Sequence, residues 1–101
     1  MLRHKVQFVL RFGVFDDFRQ TLQALQARER EHGWAEQRCW RASSGRMNEM
    51  VIEHDYSDRK AYDAQRDAYH DTPDEEFRSA LDTLAQLMVP GTAMEMILEE
   101  L

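Results

Sequence analysis

Val6, Phe8, Leu10, Phe12 and Val14 fall at alternate positions, with Lys5, Gln7, Val9, Arg11 and Gly13 between them. A period of two sustained over Val6 to Val14, rich in β-branched and aromatic members, predicts a strand with one face in a core and the other more polar. The remainder of the chain has to supply the layer that covers the apolar face.

Phe15, Phe18, Leu22 and Leu25 recur at three- and four-residue steps, the stripe of a helix starting near Asp16 and Asp17, whose carboxylates suit a helix N-terminus. Gln20, Gln23, Arg28, Arg30 and Glu31 occupy the remainder, so only one side of this helix is covered, and Gly33 supplies the stop. Ala35 to Ser43 and Met47 to Tyr56 are extended segments joined at Ser44-Gly45. In the later one Met50, Ile52, His54 and Tyr56 share a face, opposite Glu49, Val51, Glu53 and Asp55. A loop of Ser44-Gly45 alone pairs Cys39 with Met50 and Trp40 with Glu49; one further loop residue exchanges them. Ser57 is placed to cap a helix from Asp58 to about His70, and Thr72-Pro73-Asp74-Glu75 reads as a capping box opening a second helical piece at Pro73. Phe77, Leu81, Leu84 and Met88 mark the buried side of that piece, and Pro90-Gly91 ends it. From Ala93 to Leu101 alternation returns, with Met94, Met96 and Leu98 against Glu95, Ile97 and Glu99.

The chain has 101 residues, the size of one domain spanning 1–101, with 43% hydrophobic and 32% charged residues. No apolar run is long enough to cross a bilayer. A net charge of −6 without a basic cluster speaks against nucleic acid as a partner. Met1-Leu2-Arg3-His4-Lys5 leads into the strand without the pattern of a signal peptide, and Cys39 is the one cysteine, so a cytoplasmic location is expected.

The order β, α, β, β, broken α, β is that of the split βαβ, ferredoxin-like α+β arrangement, with a four-stranded antiparallel sheet in the order fourth, first, third, second. The less apolar faces agree with this order. Lys5 and Arg11 on the first strand and Arg38 or Arg41 on the second then adjoin Glu49 and Glu53 on the third and Glu95 and Glu99 on the fourth. Helices cover one side of such a sheet only. On the other, Val9, Val51 and Ile97 leave an apolar stripe and the last strand an open edge, so a symmetric homodimer packed sheet to sheet is expected.

The first strand, the run Val51-Ile52-Glu53-His54-Asp55-Tyr56-Ser57-Asp58 entering a helix with Ala61-Tyr62, and Leu87-Met88-Val89-Pro90-Gly91 before a last strand together resemble the dimeric α/β-barrel superfamily. Within it the likeness is to the NIPSNAP-like and antibiotic-biosynthesis-monooxygenase-like domains, and it covers nearly the whole chain. The resemblance implies a pocket between sheet and helices. It also implies a range of activities: cofactor-independent monooxygenases, haem-degrading enzymes, isomerases, and members with no known reaction.

Polar residues on the covered faces are therefore the candidates. His54 lies beside Met50 and Ile52, and its functional reading is a general base or orienting donor. On the helix from Asp58, Ala61, Ala64 and Ala68 with Tyr62 and Tyr69 form an arc with Gln65 at its middle, where small alanines leave room for a flat ligand. Trp40 is a further aromatic for the pocket or the core. The plain structural alternative has His54 satisfied by backbone and the tyrosines packed with their hydroxyls in water. His4, His32, His54 and His70 lie in different elements, so no metal site is expected. Nor is haem: His70 lies on the helix where the resemblance places an iron ligand, but haem-degrading relatives also carry an Asn on the first strand and a Trp on the third. This chain has Gln7 and no Trp at those places.

The functional expectation is a small, hydrophobic or aromatic, polyketide-like ligand held in each subunit, with metal-free oxidation or isomerisation. The alternative is a non-catalytic structural or regulatory dimer module. A cavity reaching His54 beneath the helix from Asp58 separates the first from the second, in which Tyr62, Tyr69 and methionines fill that space.

Overall fold

The computed structural model describes residues 1–101. It contains β1 (Leu2–Val9), α1 (Phe15–His32), β2 (Arg38–Arg41), β3 (Glu49–Tyr56), α2 (Arg59–Asp71), α3 (Glu75–Leu87) and β4 (Met94–Glu99). The strands form one antiparallel sheet in the order β2-β3-β1-β4, as the ferredoxin-like reading requires. Phe8, Met50 and Ile52 from the sheet, Phe18 and Leu25 from α1, and Phe77 and Leu84 from α3 meet in one core with Leu10. Phe8 and Phe18 stand edge to face at its centre, 5.8 Å between ring centroids.

Several boundaries differ from the sequence reading for local reasons. β1 begins at Leu2, because β3 and β4 hydrogen-bond it on both sides from there. It ends at Val9, because the chain turns at Gly13 with φ +80° and leaves Phe12 77% exposed. β2 is only Arg38–Arg41, and the connection to β3 runs through Ala42–Asn48 rather than a tight Ser44-Gly45 turn, with Gly45 and Asn48 both at positive φ. Asp58, not Ser57, caps α2 by accepting from Ala61 N at 2.8 Å. Asp74, not Thr72, caps α3 by accepting from Phe77 N at 3.0 Å, while Thr72 Oγ1 accepts from Asp74 N at 3.3 Å and fixes the break between the helices. Gly33 stops α1 as expected, at φ +70° with its N–H on the Arg30 carbonyl.

The long β2–β3 connection sets the register: Cys39 opposes Ile52 and Trp40 opposes Val51. Trp40 therefore belongs to the face that carries no helix, and it is corrected from a pocket residue to a residue of the open face. β4 is reversed relative to expectation as well. Met94, Met96 and Leu98 oppose Gln7, Lys5 and Arg3 on the open face, whereas Glu95 and Ile97 lie on the helix side, where Glu95 meets His4 at 2.9 Å. The charge pairing holds for the other strands of the open face. Asp55 of β3 accepts from Arg3 at 2.7 Å and Arg38 at 2.6 Å, and Glu53 lies 3.6 and 3.7 Å from the same two guanidinium groups. It does not extend to β4, and Arg11 lies beyond β1, donating to the Gln86 carbonyl.

Candidate ligand cavity and its polar end

β3 carries His54 and Tyr56 two residues apart, so both side chains project to the helix side, where β1 adds His4 and Val6. Leu25 and Glu29 from α1, Tyr69 from α2, and Leu81 and Leu84 from α3 close the remaining walls of a cavity of about 250 Å³. It is mostly apolar, with its polar groups gathered at the Glu29, His54, Tyr56 and Tyr69 end. A second hollow of about 330 Å³ lies outside it, between α2 and the sheet, lined by Tyr62, Arg66, His70 and Glu95. His4, Tyr56 and Tyr69 belong to the walls of both, so the hollows meet at these three side chains.

Glu29 organises the inner end and was not anticipated from the sequence. It lies one turn beyond Leu25 on the buried stripe of α1 and is 2% exposed. Its Oε2 stands 2.5 Å from His54 Nε2 and accepts from the Tyr69 hydroxyl at 2.8 Å, and its Oε1 accepts from Gln37 N at 3.2 Å. A buried carboxylate is tolerated when its lone pairs are met in this way. The Tyr69 oxygen also receives a hydrogen bond from Gln65 Nε2 at 2.8 Å, so its own hydrogen is the one given to Glu29.

Gln65 is a hydrogen-bonded structural side chain behind the cavity wall. Its amide nitrogen donates to Tyr69 and to the Tyr56 hydroxyl at 3.1 Å, and its oxygen accepts from Ala35 N at 2.8 Å. Tyr62 stands at the outer hollow, packed on His4 and Tyr56 with centroids 5.7 and 5.4 Å apart. Tyr69 reaches the inner cavity, as expected, and His54 lies on its floor. Of the remaining histidines, His32 is engaged by Asp74 at 2.7 Å, away from the cavity, and His70 lines the outer hollow. No group of three or more His, Cys, Asp or Glu side chains converges as metal ligands do.

Two polar atoms at the inner end are left for a ligand. His54 Nε2 is taken by Glu29, which leaves Nδ1 as the ring nitrogen that no protein group occupies, an acceptor in the tautomer whose proton points at Glu29. The Tyr56 oxygen accepts from Gln65 but its hydrogen is given to no protein acceptor. Burial, with the Glu29 charge second, pushes the Tyr56 hydroxyl up to about 12, so it stays a neutral donor at physiological pH. Burial and Glu29 likewise raise Tyr69. One acceptor and one donor therefore sit on adjacent inward positions of one strand.

The whole chain superposes on solved structures. A NIPSNAP domain protein from Burkholderia xenovorans matches with a TM-score of 0.77 at 20% identity, over 100% of this chain and 95% of that one. An antibiotic biosynthesis monooxygenase matches at 0.72 and 13% identity, over 100% and 99%. A NIPSNAP family protein from Agrobacterium tumefaciens matches at 0.73 and 13% identity, over 97% and 90%. These likenesses establish a shared ferredoxin-like fold. No family model matches the chain, and no curated protein matches it.

Proposed function

We propose that this protein binds a small, flat, partly aromatic molecule between its sheet and helices and removes a proton from it, with His54 as base and Tyr56 as the donor to the oxygen that gains charge. The cavity of about 250 Å³ that reaches His54 carries this reading, since the alternative of a structural module requires that space to be filled. Glu29 holds the imidazole with Nδ1 inward and stabilises the imidazolium that forms when Nδ1 takes the proton. The electron pair stays on the ligand as a phenolate or enolate, next to the Tyr56 O–H. Such an anion is the common starting point for metal-free attack on dioxygen and for isomerisation by reprotonation at a second carbon. The monooxygenase among the structural neighbours favours the first.

The homodimer belongs to the same proposal. Trp40, Met94, Met96 and Leu98 are 54, 62, 46 and 42% exposed on the helix-free face, and a second copy packed against it removes that apolar surface from water. The single cysteine, with no disulfide partner in the chain, suits the reducing cytoplasm.

A thermal-shift screen of hydroxylated aromatics and quinones tests the reading. A ligand at one hundred times its Kd stabilises the native state by about 2.7 kcal/mol. Hits should lose their shift in Leu81→Trp, which fills the cavity, and any hit that is turned over should survive unchanged with His54→Ala. Shifts that persist in Leu81→Trp place binding elsewhere and overturn the proposal.

A further inference from the structure

Along α2, Tyr62, Arg66, Tyr69 and His70 share the stripe that faces the outer hollow, at the spacing of one helix face. Arg66 is the strongest charge there, and it is poorly used by the protein. Its guanidinium makes no hydrogen bond within the chain. The nearest carboxylates, Asp63 and Asp67, stand at 3.6 and 3.9 Å, and Asp63 is already held by Arg59 at 3.2 Å. The Arg66 guanidinium instead lies over the Tyr62 ring, 5.7 Å from its centroid, a ring that Arg59 also approaches at 5.4 Å. The one carboxylate lining this hollow, Glu95, is taken by His4 at 2.9 Å. The charges therefore differ between the two hollows: a weakly paired cation lines the outer one, the Tyr56 and Tyr69 hydroxyls stand where the two meet, and His54 with the Glu29 carboxylate behind it belongs to the inner one alone.

We propose that the ligand is an aromatic acid that enters with its carboxylate outward, held by Arg66 with His70 beside it, and its hydroxyl or enolisable end inward at His54 and Tyr56. This rests on the cavity reading above and adds the class of substrate to it. The polarity follows from the charges, because a carboxylate turned inward would meet Glu29, whereas a guanidinium with unused donors takes a carboxylate in its fork. The inner volume of about 250 Å³ falls below the roughly 300–1,000 Å³ of drug-sized sites, so one or two fused rings fill it.

Isothermal titration of 2-naphthoate and of 2-naphthol, matched bodies with and without the acid, decides the matter. On the wild-type chain 2-naphthoate should bind about tenfold more tightly, with the preference shrinking as salt is added. Arg66→Gln should bring the two affinities together, Arg66→Lys should retain part of the preference, and Arg19→Gln, a charge change elsewhere on the surface, should leave the ratio as it was. The proposal is overturned if the acid binds no better than the naphthol, if Arg66→Gln keeps the ratio, or if Arg19→Gln abolishes it equally. If neither compound binds the wild-type chain, the cavity reading itself fails; if 2-naphthol binds and the acid has no advantage, only the acid class is lost.

Discussion

Replacing Glu29 by Gln tests whether the buried carboxylate sets the direction of His54. In the wild-type chain three donors converge on it: His54 Nε2–H, the Tyr69 hydroxyl and Gln37 N–H. An amide cannot receive all three. Its oxygen can stay with Gln37 N–H, but its NH₂ then faces His54 and Tyr69, and the arrangement is satisfied only if His54 Nε2 becomes an acceptor and its proton moves to Nδ1. Hydrogen bonds to a charged acceptor contribute roughly 1.5–3 kcal/mol each and neutral ones 0.5–1.5, with relief of the buried charge offsetting part of the difference. The net cost is about 2 kcal/mol, a fall in Tm of about 8–16 °C for a domain of this size. Glu29→Leu, by contrast, strands all three donors at about 1–3 kcal/mol each, much of the roughly 5–15 kcal/mol that holds a small domain folded. Long-range ¹H–¹⁵N NMR of the imidazole reads the tautomer, and thermal melts read the stabilities. An Nε2–H tautomer surviving in Glu29→Gln, or equal destabilisation by Gln and Leu, refutes the reasoning. A confirmed swap also predicts loss of any base-dependent turnover, since Nδ1 would then present a proton to the ligand instead of a lone pair.

Other outcomes follow from the same physical reading. Tyr56 ionises near 10 in the unfolded chain and at about 12 in the folded one, so its contribution is complete below pH 10 and disappears as pH rises through 12; stability against urea should fall across that window, and Tyr56→Phe should flatten the fall. Asp74 is held below the usual carboxylate range, first by its hydrogen bond with His32 and next by the Phe77 N–H. Its stabilisation is therefore present above pH 3.8 and lost as the pH drops further, and Asp74→Ala should lower the urea midpoint at pH 7 far more than at pH 2. Met96→Glu, on the open face beside Lys5, should convert a dimer to a folded monomer in sedimentation velocity with unchanged far-ultraviolet circular dichroism; an unaltered sedimentation coefficient places the contact on another surface.

The sequence made the element order, the strand order and most of the core stripes legible, because periods of two and of 3.6 residues survive in these segments with little interruption. His54 and Tyr69 were legible for the same reason, as polar positions on faces whose neighbours are apolar. Glu29 follows Leu25 by four residues and carries the stripe onward, but Arg28, Arg30 and Glu31 surround it in sequence, and a charged run reads as a solvated surface. The placement of β4 was hidden for a different reason. Alternation separates Met94, Met96 and Leu98 from Glu95, Ile97 and Glu99 but does not say which set faces the helices, and the more apolar set lies on the open side. Trp40 was misassigned because a change of one residue in the β2–β3 connection exchanges the faces of β2: the observed register, like a Ser44-Gly45 turn alone, sets Trp40 on the side of Glu49 and Val51, and a loop one residue longer than that turn would have set it beside Met50.

The attachment of α2 differs in kind from that of α1 and α3. None of its side chains belongs to the cluster of Phe8, Leu10, Phe18, Leu25, Met50, Ile52, Phe77 and Leu84; its buried residues are Tyr62 and Gln65, and Tyr69 packs against that cluster from outside. It is tied down chiefly through Gln65 and Tyr69, by hydrogen bonds to Ala35, Tyr56 and Glu29. A segment held by polar links and two tyrosine rings, with no aliphatic side chain in the core, opens more readily than the layer beneath it, so its amides should exchange with deuterium sooner than those of α1 and α3. Breathing of that kind gives a molecule too wide for the resting entrance a way in and a way out, without unfolding the sheet.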